Sequence, residues 1–333
     1  SWNLHETHAF VNWIADYPIA IHILLPYTAF KESIMQESIM LFFLNIANPT
    51  LDFLANIASA VGEQTFVIAV ILYIFYNYDK KKGFGLFTSV LFAVLGMGIL
   101  KAIVRAPRPF QVLESIGGKR LETATGYSFP SGHTTTGSAF YTALALTFKK
   151  RPVSIFCAVM MVLVGLSRLY LGVHWPIDVF AGLLLGVTVS FVVSRYLNAL
   201  YDDKQKRIRL SMWIGSLSLV AGAITAILLN LSLIDEVAFT DLMKVFALGG
   251  GGYLGFVLEN KKVGFIVEEK RSKQILRYLL GLIGILVFMG AKAVIPESLY
   301  ALGAFLRYTM VGLWATGLYP LIGKNLRLFA GSR

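Results

Sequence analysis

Long apolar runs, each closed by a short polar or charged segment, follow one another along most of the chain. A stretch of about 18 or more apolar residues with few charges reads as a membrane-crossing helix. The runs place candidate spans at Gln64–Tyr78, Phe84–Val104, His133–Phe148, Pro152–Leu166, Trp175–Ser194, Ser211–Leu231, Leu242–Leu258, Gln274–Ala291 and Leu299–Leu321. Several are short for a crossing, so their helices are expected to continue into the flanking polar residues. The alternating segments of about ten residues that mark a membrane barrel are not seen. The pattern predicts an all-α polytopic membrane protein with about nine transmembrane helices.

Ahead of the first span, residues 1–63 are apolar but broken by Pro18, Pro26, Pro49 and several charges. They are expected to form helices lying in the interface on the non-cytoplasmic side, anchored by Trp2, Trp13 and Tyr17. A further span around Ile34–Ala58 is the alternative. His5, His8 and His22 read as interfacial or solvated residues there. Ser1 to Phe10 lack the positive segment and apolar core of a signal peptide.

Composition agrees with the pattern: 56% of the 333 residues are hydrophobic, 15% are charged, and the mean hydropathy is +0.67. The net charge of +11 suggests nucleic-acid binding in a soluble chain. Here the basic residues fall between apolar runs, so they are read as topology signals and no nucleic-acid partner is expected. Alternate connections (Lys80–Lys82, Lys149–Arg151, Arg195–Arg209, Glu259–Lys273 and the tail) hold about 19 Lys and Arg. That side is expected to be cytoplasmic, together with the C-terminus. The acidic connection Ser232–Asp241 then falls outside. Cys157 is the single cysteine, so neither an internal disulfide nor a cysteine-based metal site is expected.

Three polar clusters fall at the outer ends of the first five spans. Lys101 closes a long apolar run, where an intramembrane charge costs on the order of 2.5–3.5 kcal/mol. It is followed by Arg105 and Arg108-Pro109, basic residues on the side that should be poor in them. These three could instead snorkel to the interface. Pro130-Ser131-Gly132-His133 opens a span with free backbone N–H groups and the positive end of a helix dipole, a ready anion site. Taken alone, it is also ordinary helix capping. Ser167-Arg168 precedes His174-Trp175-Pro176-Ile177-Asp178, with Pro176 suited to a first helical turn. A carboxylate four residues from an imidazole can fix its tautomer and leave the other ring nitrogen free as a nucleophile. A capping Asp beside an interfacial His is the plainer alternative.

Together, Lys101-x6-Arg108-Pro109, Pro130-Ser131-Gly132-His133 and Ser167-Arg168-x5-His174-x3-Asp178 resemble the three signature motifs of the type-2 phosphatidic acid phosphatase superfamily in order and spacing. The resemblance implies a five-helix catalytic core over residues 64–200, followed by a four-helix membrane extension over 201–333. It implies that His174 attacks phosphorus and forms a phosphohistidine, that Asp178 orients it, and that His133 serves as acid and then base. Lys101, Arg108, Arg168, Ser131 and the Gly132 amide would hold the phosphoryl oxygens, with no metal or other cofactor. A nine-span layout with an outside N-terminus is similar to the glucose-6-phosphatase branch.

A phosphorylated lipid, reached sideways from the bilayer, is the expected substrate, with membrane lipids as the surroundings. A sugar phosphatase, a lipid phosphotransferase, and a transporter or scaffold without catalysis are the other readings; vanadate-dependent haloperoxidases share the motifs but are soluble. The run Gly249–Gly252 is expected to serve close helix packing, the alternative being an unwound helix lining a pathway.

Overall fold

The computed structural model describes residues 34–267 and 270–331. Trp2, Trp13, Tyr17 and the three N-terminal histidines lie outside the described residues. The described residues are helical almost throughout, with one antiparallel pair of two-residue strands among them, β1 (Phe265–Ile266) and β2 (Ala330–Gly331).

All nine predicted spans are helical. They follow two shorter helices, α1 (Ile34–Asn45) and α2 (Pro49–Ala60), which turn through 118° at their junction. Asn48 caps α2, accepting from the Leu51 amide at 3.0 Å, and Pro49 supplies the preset φ of its first turn. The region around Ile34–Ala58 is therefore a bent pair and not one straight helix.

Next come α3 (Gln64–Asn77), α4 (Lys80–Val104), α5 (Gly132–Phe148), α6 (Arg151–Tyr170) and α7 (Pro176–Asp202). The remaining helices are α8 (Lys204–Asn230), α9 (Glu236–Leu258), α10 (Arg271–Gly290), α11 (Tyr300–Leu313) and α12 (Tyr319–Asn325). A five-residue π stretch, Trp314–Leu318, joins the last two.

Among the described residues, six helices are long and apolar enough to cross a bilayer, or seven if the bent pair counts as one span. With 14 residues, α3 is only about 21 Å long, and the 17 residues of α5 reach about 26 Å. The hydrocarbon core is about 30 Å thick. The low hydropathy of α5 has a local cause: the hydroxyls of Thr134, Thr135, Ser138 and Thr142 are buried and hydrogen-bonded. Thr135 Oγ1 donates to the Ser131 carbonyl at 2.8 Å, and Ser138 Oγ to the Gly182 carbonyl at 3.1 Å.

Helices α4, α5, α6 and α7 pack around one another, with α3 against α4 and α2 laid across α6. The α5–α7 contact is close because α7 carries glycine there. A Cβ on Gly186 would stand 2.0 Å from Ser138 Oγ, and one on Gly182 would stand 2.9 Å from the Ser131 carbonyl oxygen. In the second half α9 is the hub, packed on α8, α11 and, across the seam, α4. Gly249–Gly252 lie within continuous α9, and a Cβ on Gly251 would come within 2.0 Å of the Thr309 carbonyl oxygen. The run therefore serves close packing, as expected.

Candidate active site

The three clusters converge at one end of the α4–α7 bundle. Lys101 lies in the last turn of α4, buried, and its Nζ donates to the Tyr127 carbonyl oxygen. At Arg105 the chain turns left-handed (φ 50°) and leaves the helix, so the next cation points elsewhere. Arg105 stands 3.6 Å from Asp235 in the acidic connection and does not join the site.

Arg108 does join it. Its guanidinium is gripped by three backbone carbonyls, those of Gly126 (3.1 Å), Val173 (3.0 Å) and Thr125 (2.7 Å). The same Nη1 that reaches Val173 lies 3.2 Å from His174 Nε2. With a guanidinium donating to it, Nε2 holds its lone pair toward the cation, which leaves the ring proton on Nδ1.

His174 sits between α6 and α7. Gly172 (φ +71°) reverses the chain after α6, and Pro176 starts α7, so the imidazole is held at the helix mouth. The histidine is 1% exposed. Nδ1 lies 3.4 Å from Asp178 Oδ2 and 3.4 Å from Ser128 Oγ. Asp178 Oδ2 accepts from Ser128 Oγ at 2.5 Å and from the Trp175 amide at 2.9 Å. The carboxylate is thus fixed by neighbours and aimed at the ring, the arrangement the i, i+4 spacing predicts. Burial, then the positive charges of Arg108, Lys101 and Arg168, holds the imidazole well below its ordinary value of 6.5. That direction favours the neutral ring, with Nε2 as the acceptor that Arg108 Nη1 meets.

Ser131 is the N-cap of α5. It is fully buried, its amide donating to the Asp178 carbonyl at 3.0 Å and its Oγ accepting from Thr134 Oγ1 at 2.9 Å. Gly132 follows, and then His133, whose Nε2 lies 3.7 Å from Glu63 Oε1 and has no hydrogen-bond partner among the described residues. Glu63 also accepts from Arg120. Arg168 is completely buried. Its Nη1 donates to Ser59 Oγ at 2.6 Å, while its Nε and Nη2 have no hydrogen-bond partner among the described residues. Buried donors in that condition are costly unless a ligand accepts from them.

A cavity of about 290 Å³ opens on this cluster. Lys101, Arg108, Gly132, His133 and His174 line it, while Ser131, Arg168 and Asp178 stand behind that lining. All eight sequence-selected residues therefore belong to one neighbourhood. Sequence reasoning missed Ser128, Glu63 and Ser59, which hold Asp178, face His133 and carry Arg168. It also missed the opposite wall: Asp241 and Lys244 of α9 and Tyr308 of α11 line the same cavity. The arrangement suits an anionic group: cations and amides face a neutral imidazole base, with a second histidine nearby.

Comparison with known proteins agrees. An undecaprenyl-diphosphatase of Sulfolobus acidocaldarius is 35% identical over 131 residues, covering 39% of this chain and 62% of the relative. A lipid A 1-phosphatase of Rhizobium etli is 30% identical over 164 residues, 42% of this chain and 69% of the relative. A phosphatidylglycerophosphatase B of Bacillus subtilis is 38% identical over 94 residues, 26% and 44%. The chain thus spans less than two thirds of the first and third of these relatives. Residues 82–202 match the PAP2 superfamily, and residues 243–332 match the PAP2 superfamily phosphatase, transmembrane extension. The three motifs in their order, the helices that carry them and these matches together make the chain a multi-pass membrane member of the PAP2 superfamily.

Proposed function

We propose that this chain is a lipid phosphatase that hydrolyses a phosphate ester through a phosphohistidine on His174. One observation carries the reading: a buried imidazole, backed by Asp178 at one nitrogen and met by Arg108 at the other, lines a cavity that it shares with Lys101, Arg108 and Lys244. The similar proteins named above are named for lipid substrates, and their likeness supports a lipid over a sugar phosphate.

In the first step Nε2 of His174 displaces Arg108 Nη1 and attacks phosphorus. The P–O bond to the leaving group breaks, and His133, protonated in the complex with the dianion, delivers its proton to that oxygen. Asp178 stabilises the charge that develops on the ring. Lys101, Arg108, Arg168 and the amides at the start of α5 take up the charge spread over the phosphoryl oxygens. In the second step water attacks phosphorus, His133 accepts its proton, the N–P bond breaks, and orthophosphate leaves with His174 restored. The excess of Lys and Arg on the opposite connections supports a site on the non-cytoplasmic face and a cytoplasmic C-terminus.

The test is phosphate release by the purified chain from phosphatidate, phosphatidylglycerol phosphate, a polyprenyl diphosphate and glucose 6-phosphate, beside His174→Ala. Release from a lipid member that disappears in the variant is expected. Release that survives His174→Ala overturns the mechanism, and a preference for glucose 6-phosphate overturns the substrate class.

A further inference from the structure

Of the five helices that line the cavity, four change character along their length, polar at the His174 end and apolar deeper. On α4 the stripe Lys101, Gly98, Met97, Val94 faces it, and on α9 the stripe Asp241, Lys244, Val245, Leu248. Both are i, i+3, i+4, i+7 sets, a single helical face. On each, the polar residues stand at the His174 end and the apolar ones deeper. Helix α11 repeats this with Tyr308, then Val311 and Gly312; α3 does so with Gln64, then Val67 and Ile68.

The deeper residues line a second, narrow cavity whose walls are almost wholly apolar. Val94, Val245, Leu248 and Gln64 line both cavities, so the two share a wall. The apolar one continues down α4 through Val90 and Phe87 to Phe84 and Gly83. From Lys101 to Gly83 is 18 residues of helix, about 27 Å, close to the depth of the hydrocarbon core. A wall that turns from polar, with Lys101, Arg108 and the Asp241–Lys244 pair, to apolar along one line fits a molecule with an anionic head and an apolar chain.

We propose that the seam between α3–α4 and α9–α11 is the substrate's chain-binding slot, and that α9 completes the active site with Lys244 at the headgroup and Leu248 at the start of the chain. This rests on the lipid-phosphatase reading and makes the extension the part of the molecule that selects the substrate. Lys244 is held toward the cavity by Asp241 Oδ1 at 2.9 Å, and Asp241 Oδ2 accepts from Thr125 Oγ1 at 3.1 Å. The Thr125 carbonyl in turn holds Arg108. Extension and catalytic cations are thus tied through one chain of hydrogen bonds.

The experiment uses the whole chain in detergent, with Ile68→Trp and Leu248→Trp narrowing the slot. Two substrates of one headgroup, long-chain and short-chain, are compared. The ratio of their kcat/KM values, long over short, is expected to fall at least tenfold in either variant, mainly through KM. An unchanged ratio overturns the proposal. A long-chain lipid phosphate carrying a diazirine at its chain end is also photolysed on the unmodified protein. Adducts on α3, α9 or α11 inside the seam support it, and adducts confined to the bilayer-facing surface overturn it. Adducts suppressed equally by an uncharged lipid of the same chain mean that bulk lipid fills the seam, which also overturns it. Labelling does not depend on turnover, so loss of the phosphatase reading and loss of this one are separate results.

Discussion

At the scale of single residues the site depends on how one carboxylate is held. Asp178 Oδ2 receives Ser128 Oγ and the Trp175 amide, and these bonds aim it at the imidazole. Asp178→Asn keeps the size but presents an uncharged group to Nδ1. KM is expected to stay within a few-fold while kcat falls about 100-fold or more, equivalent to about 2.7 kcal/mol of barrier. Steady-state kinetics decide it, and turnover within a few-fold of the parent removes the orienting role. In the proposed mechanism the imidazole also sets the pH profile. Its reactive form is neutral, and its pKa is held below 6.5, so the reactive form persists as pH falls through that value. A plot of kcat/KM, corrected for the substrate phosphate's own second ionisation, is expected to show no further acid limb near pH 6.5; a residual limb there would mean that His174 titrates normally. That the eight motif residues would lie together was legible because most of them are polar groups at the ends of apolar runs on one predicted side. Ser128 and Glu63 were not. A serine in a polar loop and an acid before a span are ordinary in sequence, and only the meeting of α3, α5 and α7 gives them their roles.

At the scale of helices, the α5–α7 contact places Ser131 and His133 against Asp178 and His174. Gly186 lets the two backbones approach, with no room for a side chain beside Ser138 and Ala139. Gly186→Leu is expected to force the helices apart, a cost of about 1–3 kcal/mol or more, and to reduce turnover through misplacement of both histidines. A thermal melt combined with a phosphate-release assay checks this: full activity at unchanged stability would show that the spacing is not critical. The apolar runs announced the nine helical segments, because long hydrophobic stretches have few other solutions in a bilayer. They said less about α5, whose hydroxyls read as poor membrane residues yet are satisfied by internal hydrogen bonds. The 118° turn between α1 and α2 was not legible either, since a capping Asn followed by Pro starts a helix without fixing its direction.

For the whole molecule, the distribution of charge predicts orientation, and the lone Cys157, buried, makes it measurable with little background. A cysteine at Glu122, beside the motif loops, is expected to react with an impermeant thiol reagent on intact cells, and one at Lys206 only after permeabilisation. The opposite pattern would invert the molecule. Stability is a second global property, and here the site bears on it. Arg168 is enclosed with two nitrogens unpartnered among the described residues, whereas the unfolded chain gives both to water. Burying that guanidinium therefore works against folding, and an anion that accepts from it works for folding. Orthophosphate at 100 times its Kd is expected to add about 2.7 kcal/mol to the resistance to unfolding. The double variant Arg168→Met with Ser59→Ala, which leaves neither partner orphaned, should melt higher than the parent in phosphate-free buffer and gain little when phosphate is added. A parent that melts at the same temperature with and without phosphate would refute the coupling. If it holds, the shelf life of the purified protein is governed by the product of the proposed reaction, and the preparation stripped most thoroughly of phosphate is the one that ages fastest.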